Sequence, residues 1–155
     1  MAGTALLYAA AGFIFESVSL GCRLLGYSAP AMHRTPLFAR SLGEFWARRW
    51  NIAVSAWLHT HVFRPAGGRG YARAGILCAF AASGVFHAWP MFAALGVAAS
   101  VSTMAFFLIQ GVFVLIEGWL SIHTWPVALA RAWTIGIILG FSPLFIDPGL
   151  RAFGL

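Results

Sequence analysis

RAGILCAFAASGVFHAWPMFAALGVAASVSTMAFFLIQGVFVLIE (residues 73–117) holds no Asp, Glu, Lys or Arg between its two ends. A bilayer core about 30 Å thick takes roughly 20 apolar residues per helix, so this stretch is long enough to cross twice. Pro90 and Gly96 supply a turn, which places spans at about 74–92 and 97–119. Outward from it, an upstream run at about 4–22 is interrupted only by Glu16. A downstream run at about 129–147 carries Arg131 near its start, where a long side chain can snorkel to the interface. Hydrophobic residues make up 61% of the 155-residue chain and charged ones 9%, with a mean hydropathy of +0.83. Soluble domains carry about a quarter charged residues. The reading is one all-α membrane domain over residues 1–155, with about four transmembrane helices and an interfacial or re-entrant amphipathic helix.

That extra helix falls in SLGEFWARRWNIAVSAWLHTHVFRP (residues 41–65), within a motif segment at 38–65. Ser41 reads as an N-cap with Glu44 three residues on, a capping box. Glu44 and Arg48 stand four apart in the favourable order. A continuous helix over 45–63 puts Trp46, Trp50 and Trp57 near one face. All ten basic residues are arginine, giving a formal charge of +6. Eight of them, from Arg23 to Arg73, lie between the first and second spans. Topology and lipid headgroups explain such clustering more simply than nucleic acid does, and the arginine bias puts the motif segment in the cytoplasm. Cys22 and Cys78 lack metal-ligand spacing. His59 and His61, two apart on a helix, point to different faces, so no metal site is expected. His33 and His123 fall in loops.

His87 begins about 20 Å into its span, beyond mid-bilayer, where an ionisable group is costly and marks a candidate functional site. Ser83 and Gly84, one turn earlier on the same face, leave room beside the imidazole. The plainer reading of His87 is interhelical hydrogen bonding. Asn51 reads as a cap or interface residue, or as a polar group in a site. Arg48 and Arg49 suit the phosphates of a nucleotide-containing substrate, or headgroups. The tryptophans suit an interfacial belt, or a substrate platform at Trp46 and Trp50. Glu117 is placed to pair with Arg131 across neighbouring spans.

Taken together, FWxRRWN at residues 45–51 and SGxxH at 83–87 resemble the wax synthase-like branch of the membrane-bound O-acyltransferase family. The resemblance covers about residues 38–92, including the VFRP ending at 62–65; the later spans match in hydrophobicity only. It implies a partial helical bundle of that family's kind, with His87 as the catalytic histidine and Asn51 as its polar partner. It also implies a cytosolic acyl-CoA donor as co-substrate with no resident cofactor, and a lipophilic alcohol acceptor arriving from the membrane lipids. A neutral imidazole can take the proton of an alcohol attacking a thioester, and Asn51 can orient a group or donate to the oxyanion. For the two to meet, the 45–63 helix must dive into the protein. Members of this branch are usually longer, with further spans ahead of the motif. A chain of this size then implies a fragment, a minimal relative, or one part of a homo- or hetero-oligomer. Two other classes stay open: a non-catalytic membrane subunit or permeation protein, and a polybasic lipid-binding adaptor.

Overall fold

In the computed structural model the described residues are 33–67 and 70–154, with Ser17, Leu20, Gly21, Leu24 and Leu25. The span expected at 4–22 lies, but for isolated positions, outside the described residues, as does Cys22. A 3₁₀ turn at Pro36–Phe38 precedes α1, Leu42–Glu44, which widens at once into a π-helical turn, Phe45–Arg49. Helix α2, Ile52–Leu58, widens likewise at His59–Phe63. Two long helices follow, α3 at Ala72–Leu95 and α4 at Val97–Leu120, then a 3₁₀ turn at Ile122–Thr124. Helices α5, Val127–Phe141, and α6, Pro143–Ala152, end the described chain, and no strand occurs among the described residues.

The α3–α4 hairpin is the frame. Each helix has 24 residues, which at 1.5 Å per residue is about 36 Å, enough to cross a bilayer. The turn between them is Gly96 alone, at φ 83 and ψ −167, a conformation that suits a residue without Cβ. Pro90 lies inside α3 rather than in the turn. Its missing N–H releases the Phe86 carbonyl. The helix continues because amides within a bilayer have no water to turn to. The two helices cross closely where side chains are absent: a Cβ on Gly84 would stand 2.6 Å from Met104 Sδ, and one on Gly111 3.0 Å from Phe80 Cβ. Small residues at the crossing are what draws helices together where lipid removes the hydrophobic drive.

Helices α5 and α6 meet at 45°. The single run expected at 129–147 is therefore two helices bent at Ser142, with the geometry of a broken span or a re-entrant loop. Pro148 cannot donate to the Leu144 carbonyl four residues back; Ser102 Oγ in α4 donates to that carbonyl instead, at 2.9 Å. The breakage of α6 is thus matched by a hydroxyl on its neighbour. Among the described residues two helices are long and apolar enough to cross a membrane, or three crossings if the bent pair counts as one.

The motif segment is not one continuous helix. Trp50 is extended at φ −108 and ψ 128, and Asn51 is left-handed at φ 41 and ψ 60. Asparagine enters that region more readily than most residues, though here its side chain makes no capping hydrogen bond. The three tryptophans consequently do not share a face. Trp46 packs edge-on to Phe80 of α3 and Phe106 of α4. Trp50 stacks on Phe45, and Trp57 meets Phe86.

Ser41 Oγ accepts from the Glu44 amide at 2.9 Å, while the Glu44 carboxylate accepts from the Arg40 amide at 2.8 Å. Its cationic partner is Arg49, at 2.7 Å, not Arg48. A π-helical turn places residue i+5, rather than i+4, above residue i. Glu117 differs from expectation too, for it does not pair with Arg131. Its carboxylate accepts from the amides of Leu42 and Gly43 at 2.7 and 3.2 Å and from Trp133 Nε1 at 3.1 Å. A carboxylate at a helix start satisfies the unpaired amides there and suits the positive end of the dipole. Arg131 instead lies over the Phe38 ring, 5.2 Å from its centre.

Candidate active site

His87 sits fifteen residues into α3, about 22 Å along its axis. Its Nδ1 is 2.8 Å from the Ser83 carbonyl oxygen. A carbonyl only accepts, so Nδ1 carries the proton and Nε2 presents its lone pair. The ring is held between aromatic neighbours from two other helices, Phe107 of α4 at 4.5 Å and Phe145 of α6 at 5.6 Å between centres. Phe145 reaches this position because α6 bends back toward the hairpin. The result is a half-buried imidazole of defined tautomer with an available basic nitrogen.

The neighbours foreseen for it act differently. Ser83 contributes its backbone carbonyl rather than its hydroxyl. Gly84 is buried, and the room it leaves is taken by Met104 and Phe107. It is a crossing point between helices, not a void beside the imidazole. Asn51 has a buried Oδ1 without a hydrogen-bond partner, and no hydrogen bond joins it to His87 among the described residues. The motif segment and the His87 cage are instead connected through Trp46. Its ring meets that of Phe107, 6.1 Å between centres, and Phe107 lies against His87.

The paired arginines divide. Arg49 is committed: Nε and Nη2 hold Glu44, and Nη1 donates to Thr35 Oγ1 at 2.9 Å and to the Thr35 carbonyl at 3.1 Å. It ties the chain at Arg34 and Thr35 to the π-turn. Arg48 is exposed and makes no hydrogen bond or ion pair among the described residues, so its fork is available to an anion. Partial burial pushes the Glu44 carboxyl upward, but the Arg40 amide and the Arg49 guanidinium outweigh it and hold the group below its ordinary 4.5. Trp50 is wedged between Phe45 and the edge of His33. A surface hollow of about 440 Å³ lies at the start of α3, around Tyr71 and Arg73, some 20 Å from His87 along the helix.

Gln110 escaped the sequence reading. It is 0% exposed in α4, accepts from Trp46 Nε1 at 3.2 Å, and its Nε2 has no partner. Thr103, Gln110 and Glu117 are spaced by seven and all are buried, a polar stripe along the inward face of an apolar helix. That spacing was the available signal.

Among the described residues this is an all-helical membrane protein built around a half-buried, tautomer-defined histidine. The model of the membrane bound O-acyl transferase family matches residues 29–109, over half of the chain, and the protein belongs to that family. Three Arabidopsis thaliana relatives are similar to it. The protein named probable long-chain-alcohol O-fatty-acyltransferase 9 is 31% identical over 162 residues, covering 88% of this chain and 45% of its own length. Those numbered 7 and 3 are 32% and 29% identical, covering 80% and 87% of this chain and 39% and 42% of their own lengths. The chain thus spans less than half the length of these relatives. No solved structure matches it.

Proposed function

We propose that the protein transfers an acyl group from acyl-CoA to the hydroxyl of a lipophilic alcohol, as the names of its relatives describe for long-chain alcohols. The observation that carries this is the His87 imidazole, whose Nδ1–H is tied to the Ser83 carbonyl. That tie leaves Nε2 to take the proton from the attacking alcohol. General-base help of this kind contributes about 10²–10⁴-fold. The buried Asn51 Oδ1 is an acceptor, so its part is to hold a donor, such as the incoming hydroxyl, rather than the oxyanion. Arg48 faces the nucleotide phosphates of the donor, with Trp46 and Trp50 walling its path. Acyl-CoA supplies the leaving thiolate itself, so the reaction needs no resident cofactor. In this reading the motif segment faces the cytoplasm, where acyl-CoA is found, and the alcohol arrives from membrane lipid along the hairpin.

The test is ester formation in membranes holding the chain, supplied with labelled acyl-CoA and a panel of alcohols. Wild type forms ester and His87→Ala does not; equal yields from both would end the proposal. The lack of a hydrogen bond between Asn51 and His87 favours one other reading, a non-catalytic membrane subunit. That reading predicts no ester from the chain alone and no effect of either substitution.

A further inference from the structure

Acyl transfer develops negative charge on the thioester oxygen, and a site for it needs a donor aimed there. The Asn51 atom left buried and unpartnered is an oxygen, which cannot serve. Gln110 has the opposite polarity. Indole Nε1–H only donates, so the atom facing Trp46 has to be Gln110 Oε1. The amide is thereby oriented by its neighbour and not by choice of fit. Its two N–H donors are left at 0% exposure with nothing to bond. A buried, unsatisfied donor is costly unless a ligand supplies the acceptor.

Position agrees with polarity. Gln110 lies one turn along α4 from Phe107, about 5 Å, and Phe107 carries the His87 ring. Helical side chains lean toward their own N-terminus. In the antiparallel hairpin those leans bring His87 of α3 and Gln110 of α4 toward one another.

We propose that Gln110 is a further catalytic residue, its Nε2 donating to the thioester carbonyl oxygen as it becomes an oxyanion. This rests on the acyltransferase reading above. In the step, the alcohol oxygen bonds to the carbonyl carbon while His87 Nε2 takes its proton. The C=O π pair moves onto the oxygen, where Gln110 donates to it. The pair then returns, the C–S bond breaks, and the thiolate takes the proton from His87 to give ester and free CoA.

The experiment uses the full chain in lipid nanodiscs with two unreactive donors. One is a ketone in which CH₂ replaces the thioester sulfur; the other is an alkyl-CoA thioether with no carbonyl. Wild type should prefer the ketone about threefold to tenfold, the worth of one hydrogen bond. Gln110→Met should lose that preference while binding the thioether as before, and kcat should fall about 10²-fold at little changed KM. Equal weakening of both donors, or a KM change with kcat intact, would make Gln110 a mere support for Trp46 and overturn the inference. A measurement on wild type needs no variant to fold: the infrared carbonyl stretch of the bound, ¹³C-labelled ketone should shift to lower frequency. An unshifted band in a ketone that binds overturns the donor role and leaves the acyltransferase reading standing. Failure of wild type to bind either donor overturns both.

Discussion

The hairpin α3–α4 and the motif segment before it use opposite means to hold shape. The hairpin is two long apolar helices, packed closely where side chains are absent at Gly84 and Gly111, with few polar residues along its length. The motif segment spends its charge freely and departs from α-helical geometry three times, at two π-turns and at left-handed Asn51. Irregular backbone of this sort persists near a bilayer only where protein satisfies it. Here the segment's own side chains supply part of that, Glu44 and Arg49 among them, and the hairpin adds Glu117 for the first amides of α1 and Gln110 for the Trp46 indole. The rigid part therefore carries His87, and the irregular part is held against it by polar side chains reaching from α4.

The largest effect should come from the hairpin's own chemistry. His87→Ala should lower ester formation by at least about 10²-fold with little change in thermal stability, read by activity and by melting in detergent. A large stability loss with activity retained per folded molecule would make His87 a packing residue. Next comes the joint between the regions. Glu117→Leu removes the acceptor for two backbone amides and an indole, and should cost about 3 kcal/mol. The loss should be local, appearing as faster amide exchange and proteolysis in 41–50 while α3 and α4 stay protected. Uniform loosening would mean that the two regions are one cooperative unit.

The arginines sharpen the contrast within the motif segment itself. Arg48→Ala should raise KM for acyl-CoA several-fold and leave melting unchanged, since its fork bonds to nothing among the described residues. Arg49→Ala should do the reverse, lowering stability by about 1–2 kcal/mol, because Glu44 and Thr35 lose their partner together. Equivalent behaviour of the two would contradict the π-turn that separates them. Gly75→Ala should cost about 1–3 kcal/mol, for a Cβ there would stand 2.7 Å from the Phe63 ring and 3.0 Å from its backbone oxygen.

The two regions also differ in how far they could be read beforehand. Helices α3 and α4 were legible because an apolar run without charge has few ways to satisfy its backbone in lipid, and length does the rest. His87 and Asn51 stood out as polar residues where polarity is expensive. Geometry in the motif segment was not legible. One inserted residue per turn shifts every partnership, so Arg49 rather than Arg48 meets Glu44, and Trp46, Trp50 and Trp57 separate. Glu117 was assigned the nearest cation in sequence terms, Arg131, although the unpaired amides at a helix start formed the better-matched partner. Gln110 was passed over because a neutral amide hardly dents an apolar run; its meaning lay in the spacing from Thr103 and Glu117.

The smallest predicted effect tests whether the motif segment's charge is structural at all. Glu44 is held below its ordinary 4.5 by the Arg40 amide and Arg49, against the upward push of its partial burial. A carboxyl whose pKa is depressed by folding stabilises the folded state above its unfolded value, and that contribution fades as pH falls through the folded value. Melting temperature in detergent should therefore decline from about pH 4.5 downward, and Glu44→Gln should flatten that part of the curve while lowering it at neutral pH. Arg49→Ala should flatten it as well, since the guanidinium is a cause of the shift. A Glu44→Gln curve parallel to wild type through this range would mean that the ion pair is solvent-screened, leaving the π-turn's shape to Glu117 and the aromatic stack of Phe45 on Trp50.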